Sequence, residues 1–366
     1  MNKIKIAFIK FGGLAATGTE KWYQVIAANL PEDEFIVDYY YCDAAPYIGS
    51  DFEHPTTDES RLNFMNSSSV NLIKFNVGYK DVRTYTHPWV HTNFWEVFNE
   101  SKYDIITSAR AGHPEFPWLH MDKKPKVDFI TLPNMADRES RNIYKTVHIS
   151  RYQADSWLRA GGNSDYEIIP LFSEHIPEEG ENLKQELGLE DKIVYGMHQR
   201  DCDGIYSPIP LEAYSAIENE NVAFLLMGGS PLYRNQAKEL NLKNFKHLNF
   251  SGDSSKINKF LRTLDVYSHG RKDGETFGHS IAEGMSYGCP AISHAAPAMG
   301  HVETIGDAGF VANSTKEYSS LMKKFLDEDM RAKFGERSSE RFKKHLSIKV
   351  NMQKIIKIFK ECYELR

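Results

Sequence analysis

The stretch Asp273-Gly-Glu-Thr-Phe-Gly-His-Ser-Ile-Ala-Glu283, continued by Gly284-Met-Ser-Tyr-Gly-Cys-Pro290, leaves the chain few ways to fold. An apolar run ending in a polar loop, Asp265-Val-Tyr-Ser-His-Gly270, leads in, and Ala291-Ile-Ser-His294 leads out. The order predicts strand, loop, helix, turn, strand, which is half of a nucleotide-binding type of α/β unit. Two carboxylates, Glu275 and Glu283, stand eight positions apart across the Gly-containing turn and the helix start. Gly278 lets backbone approach a ligand closely, and the first N–H groups of the helix face an anion. Glu275 is expected at the mouth of that loop. Glu283 is expected about one turn into the helix, placed to accept hydrogen bonds from a sugar or ribose hydroxyl. A diphosphate lying between two sugars needs such an arrangement.

At 366 residues the chain exceeds one core of ordinary size and predicts two domains. Its 41% hydrophobic and 26% charged residues are those of a globular protein. A net charge of −6 argues against a molecule whose overall field grips nucleic acid. Lys343, Lys344, Lys349 and Lys354 near the C-terminus read as a solvated helix face. The four cysteines, Cys42, Cys202, Cys289 and Cys362, show neither metal-like pairing nor a disulfide framework, which predicts a reducing, cytoplasmic compartment. Lysines interrupt the short apolar start Met1–Ile9, so no signal peptide is expected there. No stretch approaches the roughly 18 apolar residues of a membrane span. A membrane substrate would be reached from the surface, by peripheral contact.

Along the chain, Ile4–Ile9 predicts a buried strand and Lys10–Gly18 a glycine-containing loop. A helix from Thr19, its N-cap, runs through Leu30 and stops at Pro31, and a strand at Phe35–Tyr41 completes a βαβ start. Residues 43–70 are irregular. Beyond them the pattern predicts a helix over Pro88–Glu100, strands at Tyr103–Thr107 and Val127–Leu132, a helix at Arg151–Ala160, and a strand at Glu167–Pro170. The polar run from Ser173 to Asn182 is the predicted linker. Alternation then restarts with Ile193–Met197, a helix over Pro210–Ile217, Val222–Met227, a helix near Tyr233–Leu240, and Phe245–Leu248. From about Lys316 onward the chain is predicted helical. Two βα arrays imply two Rossmann-like domains with a cleft near the carboxyl ends of their strands.

The opening motif resembles the Glu-x7-Glu signature of retaining glycosyltransferases of the GT-B fold, family 4 (glycosyltransferase group 1) in particular. Members read Glu-Gly-Phe-Gly, then Glu-Ala-Met-Ala, then Gly-x-Pro-Val-Val. Here the frame is Glu275-Thr-Phe-Gly278, Glu283-Gly-Met-Ser286 and Gly288-Cys-Pro-Ala-Ile292. The resemblance implies two Rossmann-like domains facing across a cleft. Residues 1–172 would form the acceptor domain and 173–347 the donor domain, with a last helix over 348–366 crossing back to the first. It also implies donor contacts from Gly13, Arg200, Lys272, Phe277, Gly278, His279 and Glu283. Glu275 would bind the transferred sugar, and Arg200 would stabilise the departing diphosphate. The lysine that members carry about six residues after their Gly-Arg is missing, because Ile205 and Tyr206 stand there, so Arg271 or Lys272 would supply that charge.

In the loop Ser108–Pro117, His113 matches a histidine that often contacts the sugar or acceptor, with Arg110 second. Asn134 stands where many relatives have another histidine. Glu303 matches a glutamate that helps seat a Gly-containing turn. Asp201-Cys-Asp203 has the form of a metal-carrying Asp-x-Asp, but it belongs to a loop with a GT-B counterpart. His87 and His91 form an i, i+4 pair with no third ligand. The resemblance implies no metal, with helix N-termini and Arg/Lys in its place at the diphosphate, and no other cofactor is expected. The implied activity moves a sugar from a nucleotide diphosphate sugar to a hydroxyl acceptor (glycan, lipid-linked or small molecule) with retention, by family habit in surface glycan or polysaccharide synthesis. Rival readings are a nucleotide-sugar epimerase-type isomerase of the same fold and a non-catalytic nucleotide-sugar-binding protein. Gly12-Gly13 is not the dinucleotide fingerprint, which counts against a dehydrogenase.

Overall fold

The computed structural model describes residues 2–10, 13–43, 57–76, 92–110, 120–131, 142–162, 165–172 and 179–365. The chain divides into two compact units, Met1–Ser173 with Ile348–Arg366, and Glu174–Ser347.

The first unit is built on a parallel sheet of β1 (Ile4–Lys10), β2 (Phe35–Cys42), β3 (Asn71–Phe75), β4 (Ile105–Arg110), β5 (Lys126–Ile130), β6 (Ile143–His148) and β7 (Tyr166–Ile168). Their spatial order is β3-β2-β1-β4-β5-β6-β7. Ile6, Ala7, Phe8 and Ile9 of β1 are all buried, as a strand covered on both faces requires. The helices α1 (Gly18–Ala28), α2 (Glu59–Asn66), α3 (Phe94–Val97) and α4 (Arg151–Arg159) belong to this unit. At the strand ends, Lys10 Nζ is buried, donating to the Ala109 carbonyl at 2.9 Å and pairing with Glu20 at 3.3 Å.

The second unit carries β8 (Ile193–Gln199), β9 (Val222–Gly228), β10 (Phe245–Leu248), β11 (Val266–Ser268), β12 (Gly274–Glu275), β13 (Ala291–His294), β14 (Ala298–Met299) and β15 (Gly309–Ala312). Its main sheet runs β10-β9-β8-β11-β13-β15, with β12 and β14 paired separately. Around these lie α5 (Lys184–Leu187), α6 (Ile209–Ser215), α7 (Pro231–Glu239), α8 (Ser254–Thr263), α9 (His279–Ser286), α10 (Gly300–Ile305), α11 (Thr315–Lys324) and α12 (Glu328–Arg341). Each main sheet places its first strand beside its fourth main strand, the doubly wound order whose ligand crevice lies at the carboxyl ends of that central pair. In the second unit the pair is β8 and β11.

The last helix, α13 (Ile348–Glu364), turns Met352, Ile355, Ile358, Phe359 and Cys362 inward at helical spacing. It packs on β4, β5 and β6 of the first unit. The Phe359 ring lies 6.2, 6.4 and 6.3 Å from those of Phe8, Phe35 and Phe129. Lys343, Lys344, Lys349 and Lys354 are all exposed, as a solvated face requires.

Several local expectations are corrected. Helix α1 begins after Thr17, not Thr19, whose hydroxyl instead meets that of Thr131 at 3.0 Å. The irregular region 43–70 contains α2, capped by Asp58, whose carboxylate accepts from the Ser60 and Arg61 amides. Within Pro88–Glu100, the described residues hold only α3 and the start of a 3-10 turn at Glu100–Lys102, and residues 88–91 lie outside the described set. Helix α8 is new: Asp253 caps it through the Ser255 amide at 2.8 Å. Strand β15 and helix α10 were likewise unassigned by periodicity, both being short. Among the described residues, no helix is long and apolar enough to cross a membrane.

Candidate functional site

The chain leaves β11 at the centre of the second sheet and must turn sharply before α9. Glycines make the turn. A Cβ on Gly270 would lie 2.2 Å from Pro210 Cγ, and the turn is packed from outside by Gly300 at the start of α10, where a Cβ would lie 2.0 Å from the Thr276 carbonyl oxygen. Gly278 takes a left-handed φ of 92° at the N-cap of α9, and no side chain caps the helix. Gly284 lets α9 press on β11, since a Cβ there would lie 2.5 Å from the Tyr267 ring. The first amides of α9 thus open beside a short strand, β12, that ends in Glu275.

Glu275 is held from two sides. His269, the residue after β11, brings Nε2 to 3.5 Å from Glu275 Oε1, too far for a hydrogen bond, so this buried nitrogen has no hydrogen-bond partner among the described residues. Arg271 Nη1 lies 3.3 and 3.4 Å from the two carboxylate oxygens, while its Nε and Nη2 reach Asp273 at 2.6 and 2.9 Å. Burial raises the Glu275 pKa, but His269 and Arg271 together outweigh it and hold the carboxyl below its ordinary value. The His269 side chain is nearly inaccessible (4%), whereas Glu275 keeps 20% of its side chain exposed. His269 Nδ1 meets Ser293 Oγ at 2.9 Å, and its backbone carbonyl accepts from the Tyr318 hydroxyl at 2.9 Å.

Glu283 repeats the arrangement one helical turn away. His198, the next-to-last residue of β8, places Nε2 at 2.9 Å from Glu283 Oε2. Its Nδ1 lies 3.1 Å from the Tyr267 hydroxyl. At Glu283 the 2.9 Å contact with a carboxylate requires His198 Nε2 to carry the proton, which leaves Nδ1 to accept from the buried Tyr267 hydroxyl.

Behind Glu275 lie two further buried histidines. His294 Nδ1 donates to the Ala295 carbonyl at 3.0 Å, and its Nε2 accepts from Ser207 Oγ at 2.8 Å. His301 Nε2 donates to the His294 carbonyl at 3.1 Å, and its Nδ1 is buried with no hydrogen-bond partner. Burial, reinforced by the neighbouring His269, lowers the His301 pKa to about 4, against a weaker opposing pull from Glu275. His301 is therefore neutral at ordinary pH.

The remaining expected residues separate clearly. Arg200 and Lys272 are exposed cations in the loops after β8 and β11. Arg200 is near enough to Asp273 to help Arg271 lower its pKa, against the opposing effect of burial. Arg271, the other expected diphosphate cation, is already taken up by two carboxylates. The Phe277 side chain is only 3% exposed, a core group, and its carbonyl accepts from Thr304. His279 is the first residue of α9 and half-buried. Glu303 is exposed on α10, and its carbonyl accepts from Arg341. Asp203 accepts from Ser230 Oγ, and no metal-type cluster of His, Cys, Asp and Glu occurs among the described residues. Gly13 is buried after β1. His113, Asn134, His87 and His91 lie outside the described residues, as does the side chain of Arg110.

Sequence reasoning missed His198, His269 and His301. The first two had a usable signal, since each stands at the carboxyl end of a predicted central strand, where ligands of this sheet order sit.

The fold is that of the GT-B glycosyltransferases. Residues 209–341 match the family model described as glycosyl transferases group 1, a span that contains both glutamates. Three solved structures are similar over nearly the whole chain. HepE of Anabaena, in complex with UDP-glucose, is 16% identical with a TM-score of 0.73, covering 98% of this chain and 100% of its own. A glycosyltransferase from Rickettsia africae is 15% identical with a TM-score of 0.74, covering 99% of each chain. A sucrose-phosphate synthase from Thermosynechococcus elongatus is 14% identical with a TM-score of 0.72, covering 100% of each. No curated protein sequence matches.

Proposed function

We propose that the protein is a retaining glycosyltransferase that moves a sugar from a nucleoside diphosphate sugar to a hydroxyl acceptor without a metal. The observation that carries the proposal is the pair of glutamates, Glu275 ending β12 and Glu283 on α9, each beside a histidine from the carboxyl end of β8 or β11 and near the uncapped start of α9. The UDP-glucose complex of HepE supports the donor class.

In this reading the diphosphate lies on the first amides of α9, with Arg200 and Lys272 neutralising its charge. Glu275 accepts hydrogen bonds from hydroxyls of the transferred sugar, and its negative charge favours the oxocarbenium-like centre. Glu283 accepts from the ribose. Substitution occurs on the front face: the acceptor oxygen bonds to the anomeric carbon as the bond to the phosphate oxygen breaks. The acceptor proton passes to that departing oxygen. The acceptor is a glycan, a lipid-linked sugar or a small molecule, and surface glycan synthesis in the cytoplasm is the proposed setting.

The test is turnover of a panel of nucleotide sugars with and without acceptor alcohols, with product configuration read by NMR. A retained glycoside that disappears in Glu275→Gln supports the proposal. An inverted product refutes retention, a trapped glycosyl–enzyme adduct refutes front-face substitution, and an epimer formed from donor alone establishes the isomerase reading instead.

A further inference from the structure

We infer that His198 and His269 are positioning residues, each holding one glutamate for a different half of the donor: His198 for the nucleoside and His269 for the transferred sugar. The inference rests on the glycosyltransferase reading above. Its grounds are geometric. The two histidines come from different strands, yet each presents Nε2 to a glutamate and Nδ1 to a buried hydroxyl, Tyr267 for one and Ser293 for the other. His269 is 4% exposed, so it is not placed to touch much of a ligand itself, and His198, 12% exposed, has its Nε2 taken up by Glu283.

A free glutamate side chain has three rotatable bonds and sweeps a wide arc, and holding one oxygen against a fixed donor removes that freedom before the ligand arrives. The hydroxyl behind each ring is what keeps Nε2 the proton carrier. When Tyr267 or Ser293 donates to Nδ1, the proton is left on Nε2, facing the carboxylate. Tyr267, His198 and Glu283 therefore form a hydroxyl–histidine–glutamate chain that orients a carboxylate without consuming a proton in the reaction, whereas His269, backed by Ser293, stands beside Glu275 as a neighbour 3.5 Å away without a hydrogen bond. The arrangements are not equal. The His198–Glu283 contact is a full hydrogen bond at 2.9 Å on a rigid helix. The His269–Glu275 contact is 3.5 Å and shared with Arg271, which leaves Glu275 room to shift toward a developing positive centre.

Paired substitutions separate positioning from mere packing, because a glutamine amide reproduces a donor near Nε2 whereas an asparagine reaches only the place of Nδ1. For His198→Asn, affinity for UDP and for the nucleotide sugar should fall about tenfold with kcat little changed, and His198→Gln should restore most of it. For His269→Asn, kcat should fall about tenfold or more with UDP affinity unchanged, and His269→Gln should again recover most of the loss. Calorimetric titration with UDP and steady-state kinetics read these quantities. Nitrogen NMR of histidine-labelled protein should show both rings protonated on Nε2, with Glu283→Gln moving only the His198 signal and Glu275→Gln only that of His269.

Equal effects of Asn and Gln, loss of the same parameter at both sites, or Nδ1-protonated rings would each overturn the inference while leaving the enzyme reading intact. Wild-type protein that neither binds UDP nor turns over any nucleotide sugar would overturn both. That failure is recognisable because it precedes any substitution.

Discussion

The neutral, buried His301 makes the second unit acid-sensitive by an amount that can be worked out. Its pKa is about 4 in the folded protein against 6.5 for the free side chain, and the side chain has no exposed surface. The unfolded chain therefore binds a proton as pH falls through 6.5, while the folded chain refuses it until about 4. Stability is intact above 6.5, declines between the two values and levels off below the lower one. The full loss is about 3 kcal/mol, of which about 2 kcal/mol falls between pH 7.5 and pH 5. His301→Gln keeps a donor near the His294 carbonyl but removes the titration, so the variant should lose about 2 kcal/mol less than wild type over that interval. All five tryptophans, Trp22, Trp89, Trp95, Trp118 and Trp157, lie before residue 173, so fluorescence would follow the other unit. Pulse proteolysis in urea, with second-unit peptides quantified by mass spectrometry, reads the right half. Parallel pH dependences for the two proteins would refute the reasoning.

Three more outcomes are expected. Glu275 has a lowered folded pKa, so the charge that supports donor binding is present above its ordinary 4.5 and is lost only as pH falls below it. Calorimetric donor affinity should hold from pH 7.5 to 5, and a decline already complete by pH 5 would contradict the His269 and Arg271 contacts. Gly284→Val puts a branched side chain into the Tyr267 ring, which should cost about 1–3 kcal/mol in urea unfolding and weaken UDP binding by shifting Glu283 from His198. Phe359→Ala empties the contact of α13 with Phe8, Phe35 and Phe129 and should cost the first unit about 3–5 kcal/mol by fluorescence-monitored unfolding, leaving UDP affinity unchanged.

The parts of the fold that read clearly from sequence are those where one local rule dominates. Val222–Gly228 is buried at every position and could be little else than a central strand. The corner at Gly278 was legible because glycine, the helix start and the two glutamates point to one geometry. Helix α8 was missed although its apolar positions Ile257, Phe260 and Leu261 are helically spaced. The resemblance places Phe277 among the donor contacts, but position in a motif does not say which way a side chain faces. It faces the core. Arg271 was offered as a diphosphate cation, and only the coordinates show Asp273 and Glu275 closing on it. The histidines that face the glutamates stand at predicted strand ends, positions 198 and 269, but what brings those ends together is the β8–β11 pairing, a non-local contact.

Hydrogen–deuterium exchange with and without saturating UDP tests the central claim most directly, because it locates the ligand without presuming the reaction. Slowed exchange should concentrate in the amides from His269 to Glu283 and at the end of β8 near His198. Protection confined to other segments, with this corner unchanged, would contradict the account.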